Sequence, residues 1–413
     1  MANRNVSGGD ALFTGAREVL TCEDASGASV RTGVALAVEG GVIRALDKEE
    51  SVRARFPHLP EIRCAGVLTP GFVDSHTHAV FGVWRAWEYA LRSRGIPYME
   101  IARRGGGIHA SVRDLRARTE DELLNLTRPR LELMLRLGTT TAEIKSGYGL
   151  ELESELRMLR VIRRLHEEGP LDLVPTFMGA HEIPPDFPGG AEAYCHHIVR
   201  DMLPAVAEEK LAVFCDVFME PGVFDAAQTR RILEAGREHG LIPRLHADEL
   251  ENSGGAELAA AIGAASADHL GAISDAGIAA LGASETVATL LPATLLFLGR
   301  THFAPARRML DAGVKVALAT DFNPGSAPSP SMPLVLTLAC SMMGLDPLEA
   351  IHAATAAGAR ALGLTDGRGT LREGAPADLI LWDVEDHREI PYRFGWPPVA
   401  GVWKRGIQVA NCL

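Results

Sequence analysis

No pair of cysteines in this sequence stands in C-x-x-C spacing. The six cysteines (Cys22, Cys64, Cys195, Cys215, Cys340 and Cys412) are scattered. That pattern argues against a disulfide framework or a cysteine zinc site and fits reduced thiols. No apolar run reaches the ~20 residues that a membrane-spanning helix needs. The opening MANRNVSGGD has no apolar core of the kind a secretory signal carries, so a cytoplasmic chain is expected. Basic charge is also short: 41 Lys and Arg stand against 53 Asp and Glu, a net charge of −12. A basic face for nucleic acid is therefore not expected, although a local arginine can still hold a small anion. Tandem repeats and low-complexity tracts are absent, and no G-x-G-x-x-G follows the first strand-like run.

What is present is ordinary for a globular chain, with 47% hydrophobic and 23% charged residues. A length of 413 residues suits one large domain with a smaller one beside it. The first 65 residues are short β-rich runs broken by glycine pairs, and residues 365–413 resemble them. The expectation is a small β-sandwich domain built from both termini, 1–65 and 365–413. Residues 66–364 alternate strands with amphipathic helices. Strand-like runs occupy 67–76, 139–147, 171–181, 211–220, 242–249, 265–272, 285–292 and 314–321. Thr119 and Glu122 stand in capping-box spacing ahead of one helix, and Gly169 is placed to stop another. Eight such units in ~300 residues fit an α/β fold, a (β/α)₈ TIM-type barrel. The connection 79–118 is too long for a plain loop and reads as an excursion over the barrel mouth.

The stretch GFVDSHTH, residues 71–78, ends an apolar run with two histidines one residue apart. In extended chain, residues i and i+2 share a face, so His76 and His78 project side by side and can converge on a divalent metal. Barrel enzymes place their chemistry at the C-terminal strand ends. Those ends carry Lys145 and Tyr148, His181 and Glu182, His246 with Glu249, His269, and Asp321 with Asn323, Gly325 and Ser326. Each alone has a plain explanation. A lone histidine is more often a hydrogen-bonded structural residue, Asp321 before FNPG can cap a turn, Tyr148 can pack between glycines, and Glu249 can lie on a solvated face. A barrel gathers all of them at one rim, and the plain explanations lose ground together.

His76, His78, His246 and Asp321 form a mixed nitrogen and oxygen set that suits zinc and also admits iron or nickel. Strand four has no lysine of the kind that would favour a carbamate-bridged pair, so one metal ion per subunit is expected. A metal-bound water ionising near pH ~7 would be the nucleophile. Asp321 would accept its proton, Glu249 would carry a proton to the leaving nitrogen, and His269 and His181 would polarise the carbonyl oxygen.

The H-x-H pair, the histidines of strands five and six and the aspartate of strand eight resemble the amidohydrolase superfamily. The longer motifs GFVDSHTHAVFG, RRGGGIHASVR, EIKSGYGL, TFMGAHEIP, LHADEL and ATDFNPGS resemble its imidazolonepropionase family. The resemblance spans nearly the whole chain. It implies opening of the ring amide of 4-imidazolone-5-propanoate to N-formimidoyl-L-glutamate, in histidine degradation. It also implies that Arg85, Tyr98, Tyr148 and Ser326 surround the substrate, that His181 and Glu249 flank its ring, and that Asn323 and Gly325 contact the opened product. Superfamily relatives suggest a homodimer. Position 249 departs from some relatives, which carry glutamine. A propanoate arm needs a cation, and Arg85 lies in the excursion seven residues past His78, although a surface arginine in an Arg-rich loop is its plain reading. The RRGGGIHAS stretch reads as a lid hinge or an anion cradle. The nearest rival is an aminohydrolase of the same superfamily, deaminating a purine or pyrimidine. A non-catalytic metal-binding scaffold is disfavoured, because none of the five key side chains is missing.

Overall fold

A computed structural model describes residues 9–26, 29–185 and 187–411, apart from the side chains of residues 98, 99 and 102. Its centre is an eight-stranded parallel sheet in strict chain order. The strands are β1 (Phe72–Asp74), β2 (Thr139–Lys145), β3 (Asp172–Ala180), β4 (Phe214–Met219), β5 (Ile242–Ala247), β6 (Ser266–His269), β7 (Val287–Leu290) and β8 (Val316–Leu318). Sequential parallel neighbours need a crossover each, and helices such as Glu120–Arg136, Leu152–Glu168 and Ala226–Glu238 supply them.

The ring closes through the segments just past β8 and β1. Thr77 and Phe322 form a parallel bridge. Asp321 N donates to the His76 carbonyl at 3.0 Å, and His78 N donates to the Phe322 carbonyl at 2.9 Å. Thr320 adds N and Oγ1 bonds to the Asp74 carboxylate at 3.0 and 2.6 Å. Closure therefore does two things at once. It removes the sheet edge, and it lays the H-x-H segment against Asp321.

Barrel interiors are usually filled by branched apolar residues. On β2 the outward residues Ala142 and Ile144 join the main apolar core, while the intervening Glu143 and Lys145 are fully buried among the charges of other strands. The lumen under the mouth is thus ionic.

Both chain ends build two further sheets. One runs in the order Val42–Lys48, Val34–Glu39, Ala11–Thr14, Glu61–Arg63. The other runs Ile407–Asn411, Val399–Lys404, Leu379–Trp382, Val67–Pro70, Glu18–Leu20, Val30–Arg31. They share an apolar cluster containing Phe13, Leu36, Leu68, Leu379 and Trp403. Lys404 Nζ, 2.7 Å from Asp172 Oδ2 and nearly buried, ties this unit to the start of β3.

The sequence reading of a single first strand over 67–76 needs correction. Val67–Pro70 pairs antiparallel with Leu379–Trp382 in the outer sheet, and β1 is only Phe72–Asp74. His76 and His78 lie beyond its end. The local pattern shows β propensity but not the partners, and the antiparallel partner of VLTP is some 310 residues away. The expected helix signals are present. Thr119 and Glu122 form a reciprocal capping box, with Glu122 N donating to Thr119 Oγ1 at 3.2 Å and Thr119 N to Glu122 Oε2 at 2.8 Å. Gly169 follows the last residue of Leu152–Glu168. The excursion 79–118 holds three short helices, Ala86–Arg92, Tyr98–Arg103 and Ile108–Arg116. The five described cysteines are free, and Cys412 lies outside the described residues.

Candidate metal centre and its surroundings

Five imidazoles crowd the barrel mouth. Ring centroids of His76 and His246 lie 4.5 Å apart, those of His76 and His78 5.4 Å, those of His246 and His269 5.0 Å, and those of His78 and His181 4.9 Å in a stacked pair. Asp321 Oδ1 is 3.5 Å from His76 Nε2 and 3.6 Å from His78 Nε2. Nitrogen atoms of His76, His78 and His246 lie within 4.8 Å of one another, and so do ligand atoms of His76, His269 and Asp321.

Hydrogen bonds identify which nitrogens remain open. His76 Nδ1 is 2.7 Å from Asp268 Oδ2, and His246 Nδ1 is 3.0 Å from Asp216 Oδ1. These carboxylates put the proton on Nδ1 and leave Nε2 as the donor to an ion. The buried Nε2 atoms of His76 and His246, and Nδ1 of His78, have no hydrogen-bond partner among the described residues. Leaving a buried polar atom unpaired is costly; the open Nε2 atoms of His76 and His246, with His78 Nε2 beside Asp321, fit a cation. Protonation does not compete. Burial first, then neighbouring cations and imidazoles, hold His76 and His78 well below the ordinary histidine range. The donor set fits one divalent ion.

Backbone strain aims the side chains. Asp321 has φ 53° and His269 φ 78°, left-handed values that non-glycine residues seldom adopt. Thr294 Oγ1 donates to Asp321 Oδ2 at 2.6 Å and fixes the carboxylate. Burial pushes Asp321 up to about 6.

Around this centre stand the remaining expected residues. Glu249 Oε2 is 3.6 Å from His269 Nε2. Burial, then Asp321 and Glu220, push Glu249 up to about 8, so it holds its proton at neutral pH. His181 Nδ1 is 3.0 Å from the Gly147 carbonyl, which makes Nδ1 the donor and Nε2 the acceptor. Burial keeps this ring neutral, down to about 3. Tyr148 is buried with its ring centroid 5.9 Å from that of His78 and 5.5 Å from that of His181. Its loop hangs on Glu155, whose carboxylate accepts from the backbone of Gly147, Gly149 and Leu150.

Arg85 is not a surface arginine. Its Nε bonds Glu88 Oε1 at 3.0 Å, and its side chain is 12% exposed. A Cβ on Gly325 would sit 2.6–2.7 Å from three guanidinium atoms, so the guanidinium lies against that glycine. Glu88 also accepts from Gly107 N at 3.1 Å, which joins Arg85 to the RRGGGIH stretch. Asn323 is occupied by its own turn. Its Oδ1 accepts from Gly325 N at 2.8 Å and Ser326 N at 2.7 Å, while Nδ2 donates to the Asp321 carbonyl and to Ser326 Oγ. Tyr98 opens the helix Tyr98–Arg103, and its side chain lies outside the described ones. The structure thus brings His76, His78, His181, His246, Glu249, His269 and Asp321 together, with Tyr148 against His78 and His181 and Arg85 against Gly325 of the Asn323 turn; the side chain of Tyr98 is not described.

Sequence reasoning did not find Asp216, Asp268, Thr294, Glu88 or Glu155. A trace of signal existed for two of them, since FCDVF and SADH place a carboxylate inside an otherwise apolar strand.

The sequence matches the amidohydrolase family over residues 67–409. An imidazolonepropionase of Symbiobacterium thermophilum is 46% identical, covering 97% of both chains. Another, of Porphyromonas gingivalis, is 50% identical over 82% of this chain and 80% of its own. Among solved structures, an adenosine deaminase of Xanthomonas campestris with bound zinc superposes with a TM-score of 0.72 at 20% identity, covering 97% of this chain and 92% of its own. That last likeness speaks for the fold alone. With a family match across most of its length and relatives at this identity, the chain belongs to the amidohydrolase family, among its imidazolonepropionases.

Proposed function

We propose that this chain hydrolyses the ring amide of 4-imidazolone-5-propanoate to N-formimidoyl-L-glutamate, a step of histidine degradation. The ring C–N bond breaks; water supplies a hydroxyl to the carbonyl carbon and a proton to the nitrogen. The observation that carries this reading is Arg85, packed against Gly325 of the turn that follows Asp321, beside which the Nε2 atoms of His76 and His78 lie. A cation for a carboxylate arm and donors for a hydrolytic ion then stand at one mouth.

His76, His78, His246 and Asp321 would hold one divalent ion, zinc or iron. When bound, such an ion supplies water that ionises near neutral pH and a Lewis acid for the carbonyl. The other roles belong to side chains. Arg85, helped by Tyr148 and Ser326, seats the propanoate with charge-assisted bonds. His181, its Nδ1–H held by Gly147, offers Nε2 as an acceptor toward a ring N–H, so carbonyl polarisation falls to His269. Asp321 receives a proton from water, and protonated Glu249 delivers one to the departing nitrogen. Asn323 and Gly325 shape the turn that meets the product. The same reading makes the enzyme a cytoplasmic homodimer with a small carboxylate substrate and neither nucleic acid nor membrane as partner. The net charge of −12 supports the exclusion of a polyanion, and no described helix is long and apolar enough to cross a membrane.

The direct test is the ultraviolet decay of imidazolonepropanoate with purified protein, alongside an ammonia assay on purines and pyrimidines. Imidazolone loss without ammonia supports the proposal; ammonia from a nucleobase with no imidazolone loss defeats it. Two variants probe the roles. Glu249→Gln keeps a neutral hydrogen-bonding amide but no transferable proton. Its kcat is expected to fall by ~10²–10⁴-fold with KM nearly unchanged. A near-normal kcat would reduce Glu249 to a ring contact. The nearest atoms an added Cβ in Gly325→Ala would meet belong to the movable end of Arg85, and φ at this residue is not in the left-handed region. Melting should stay within a few degrees of the parent, while KM rises by about 10-fold as the guanidinium is displaced. An unchanged KM would show that the seat of Arg85 on Gly325 is immaterial.

A further inference from the structure

The reaction above makes no use of Lys145, yet its ammonium is fully buried directly under the mouth. Lys145 Nζ lies 2.7 Å from Asp216 Oδ2, 2.8 Å from Glu143 Oε1 and 3.7 Å from Asp268 Oδ2. These three carboxylates are the ones that hold the metal-facing segments. Asp216 uses its other oxygen on His246, at 3.0 Å to Nδ1 and 3.1 Å to the backbone N. Asp268 holds His76 Nδ1 at 2.7 Å. Glu143 accepts from the backbone N of Thr77, the residue between the two histidines just past β1, at 3.2 Å. Lys145, Asp216 and Asp268 come from β2, β4 and β6, the alternate strands that fill one layer of a barrel.

We propose that Lys145 is a positioning residue for the metal centre: one ammonium, shared by Asp216, Asp268 and Glu143, orients the two imidazoles of His76 and His246 and sets their tautomer. Three buried carboxylates face two cations, Lys145 and Arg244, whose Nη2 is 3.0 Å from Asp268 Oδ2. Burial works against the Lys145 ammonium, and Asp216 and Glu143 outweigh it, so it stays charged. Without it, Asp216 and Glu143 would share a dry space with no cation between them and would turn apart. Asp216 would then carry Nδ1 of His246 with it, and the open nitrogens would no longer converge.

This inference rests on the metal-ligand reading, and its sign separates it from simple charge balance. Removing a nearby cation should by coulombic attraction alone tighten a divalent ion. Removing a positioning group should loosen it. The experiment titrates Co²⁺ against a chromophoric chelator into full-length metal-free protein, and records the visible d–d bands of the Co²⁺-loaded form. Lys145→Met is expected to weaken Co²⁺ binding by ~10–100-fold and to alter the band pattern. A second variant, Lys145→Met with Glu143→Gln, removes one buried carboxylate charge and keeps the side-chain shape. It should fold and melt near the parent while Co²⁺ affinity stays low. Parent-like or tighter binding in either variant, with unchanged bands, overturns the proposal. Failure of the parent itself to bind one Co²⁺ overturns the metal-ligand reading instead.

Discussion

His246→Ala is expected to lose both its bound divalent metal and its turnover. His246 sits at the end of β5, 2% exposed, with Nδ1 committed to Asp216 and Nε2 open toward His76 and His78. In the proposed site it is the one ligand contributed from the side of the barrel opposite the β1–β8 seam. His76, His78 and Asp321 lie together along that seam, so without His246 the remaining donors close on the ion from one side only. Changes to residues that merely orient ligands typically lower metal affinity or activity by ~10–100-fold. Loss of a ligand should exceed that. The substitution also leaves the buried Asp216 Oδ1 short of a partner, at a cost of ~1–3 kcal/mol. Metal content by mass spectrometry should therefore be read on protein shown to be folded by circular dichroism. Chelation of the parent should abolish turnover, and added metal should restore it. Full activity in a metal-free variant would end the reading of a metal-activated water.

Arg85→Met should raise KM for imidazolonepropanoate steeply while kcat changes little. Methionine keeps the length and the apolar stem and removes only the charged fork. Hydrogen bonds to a charged group contribute ~1.5–3 kcal/mol, which corresponds to a rise of about 10- to 150-fold in KM. An interaction made equally in the bound substrate and the transition state shows itself in KM. The variant also separates the leading reading from nucleobase deamination, because a purine or pyrimidine has no carboxylate for Arg85 to hold. If KM is unmoved, the arginine serves only Glu88 and the Gly107 loop, and the substrate class has to be sought elsewhere.

The alternation of strand and helix patterns made the barrel legible. Seven of its strands fall inside the runs read from local pattern, because a strand buried on both faces reads as an apolar run with turn residues at its ends. The candidate ligand set was legible for a related reason. A barrel places chemistry at known ends of its strands, so histidines and aspartate there are conspicuous. The exception was the first strand, where VLTP and FVD look continuous but belong to different sheets.

By itself, then, the sequence determined which side chains were available and at which strand ends, since periodicity and turn residues are local properties of the chain. Only the tertiary structure decided what those side chains meet. Arg85 packs on Gly325, 240 positions away, and Lys145 holds carboxylates from β4 and β6. No local pattern encodes such pairings. They arise when the ring closes through Thr77 and Phe322 and excludes water, after which each buried charge has to find its partner across the barrel.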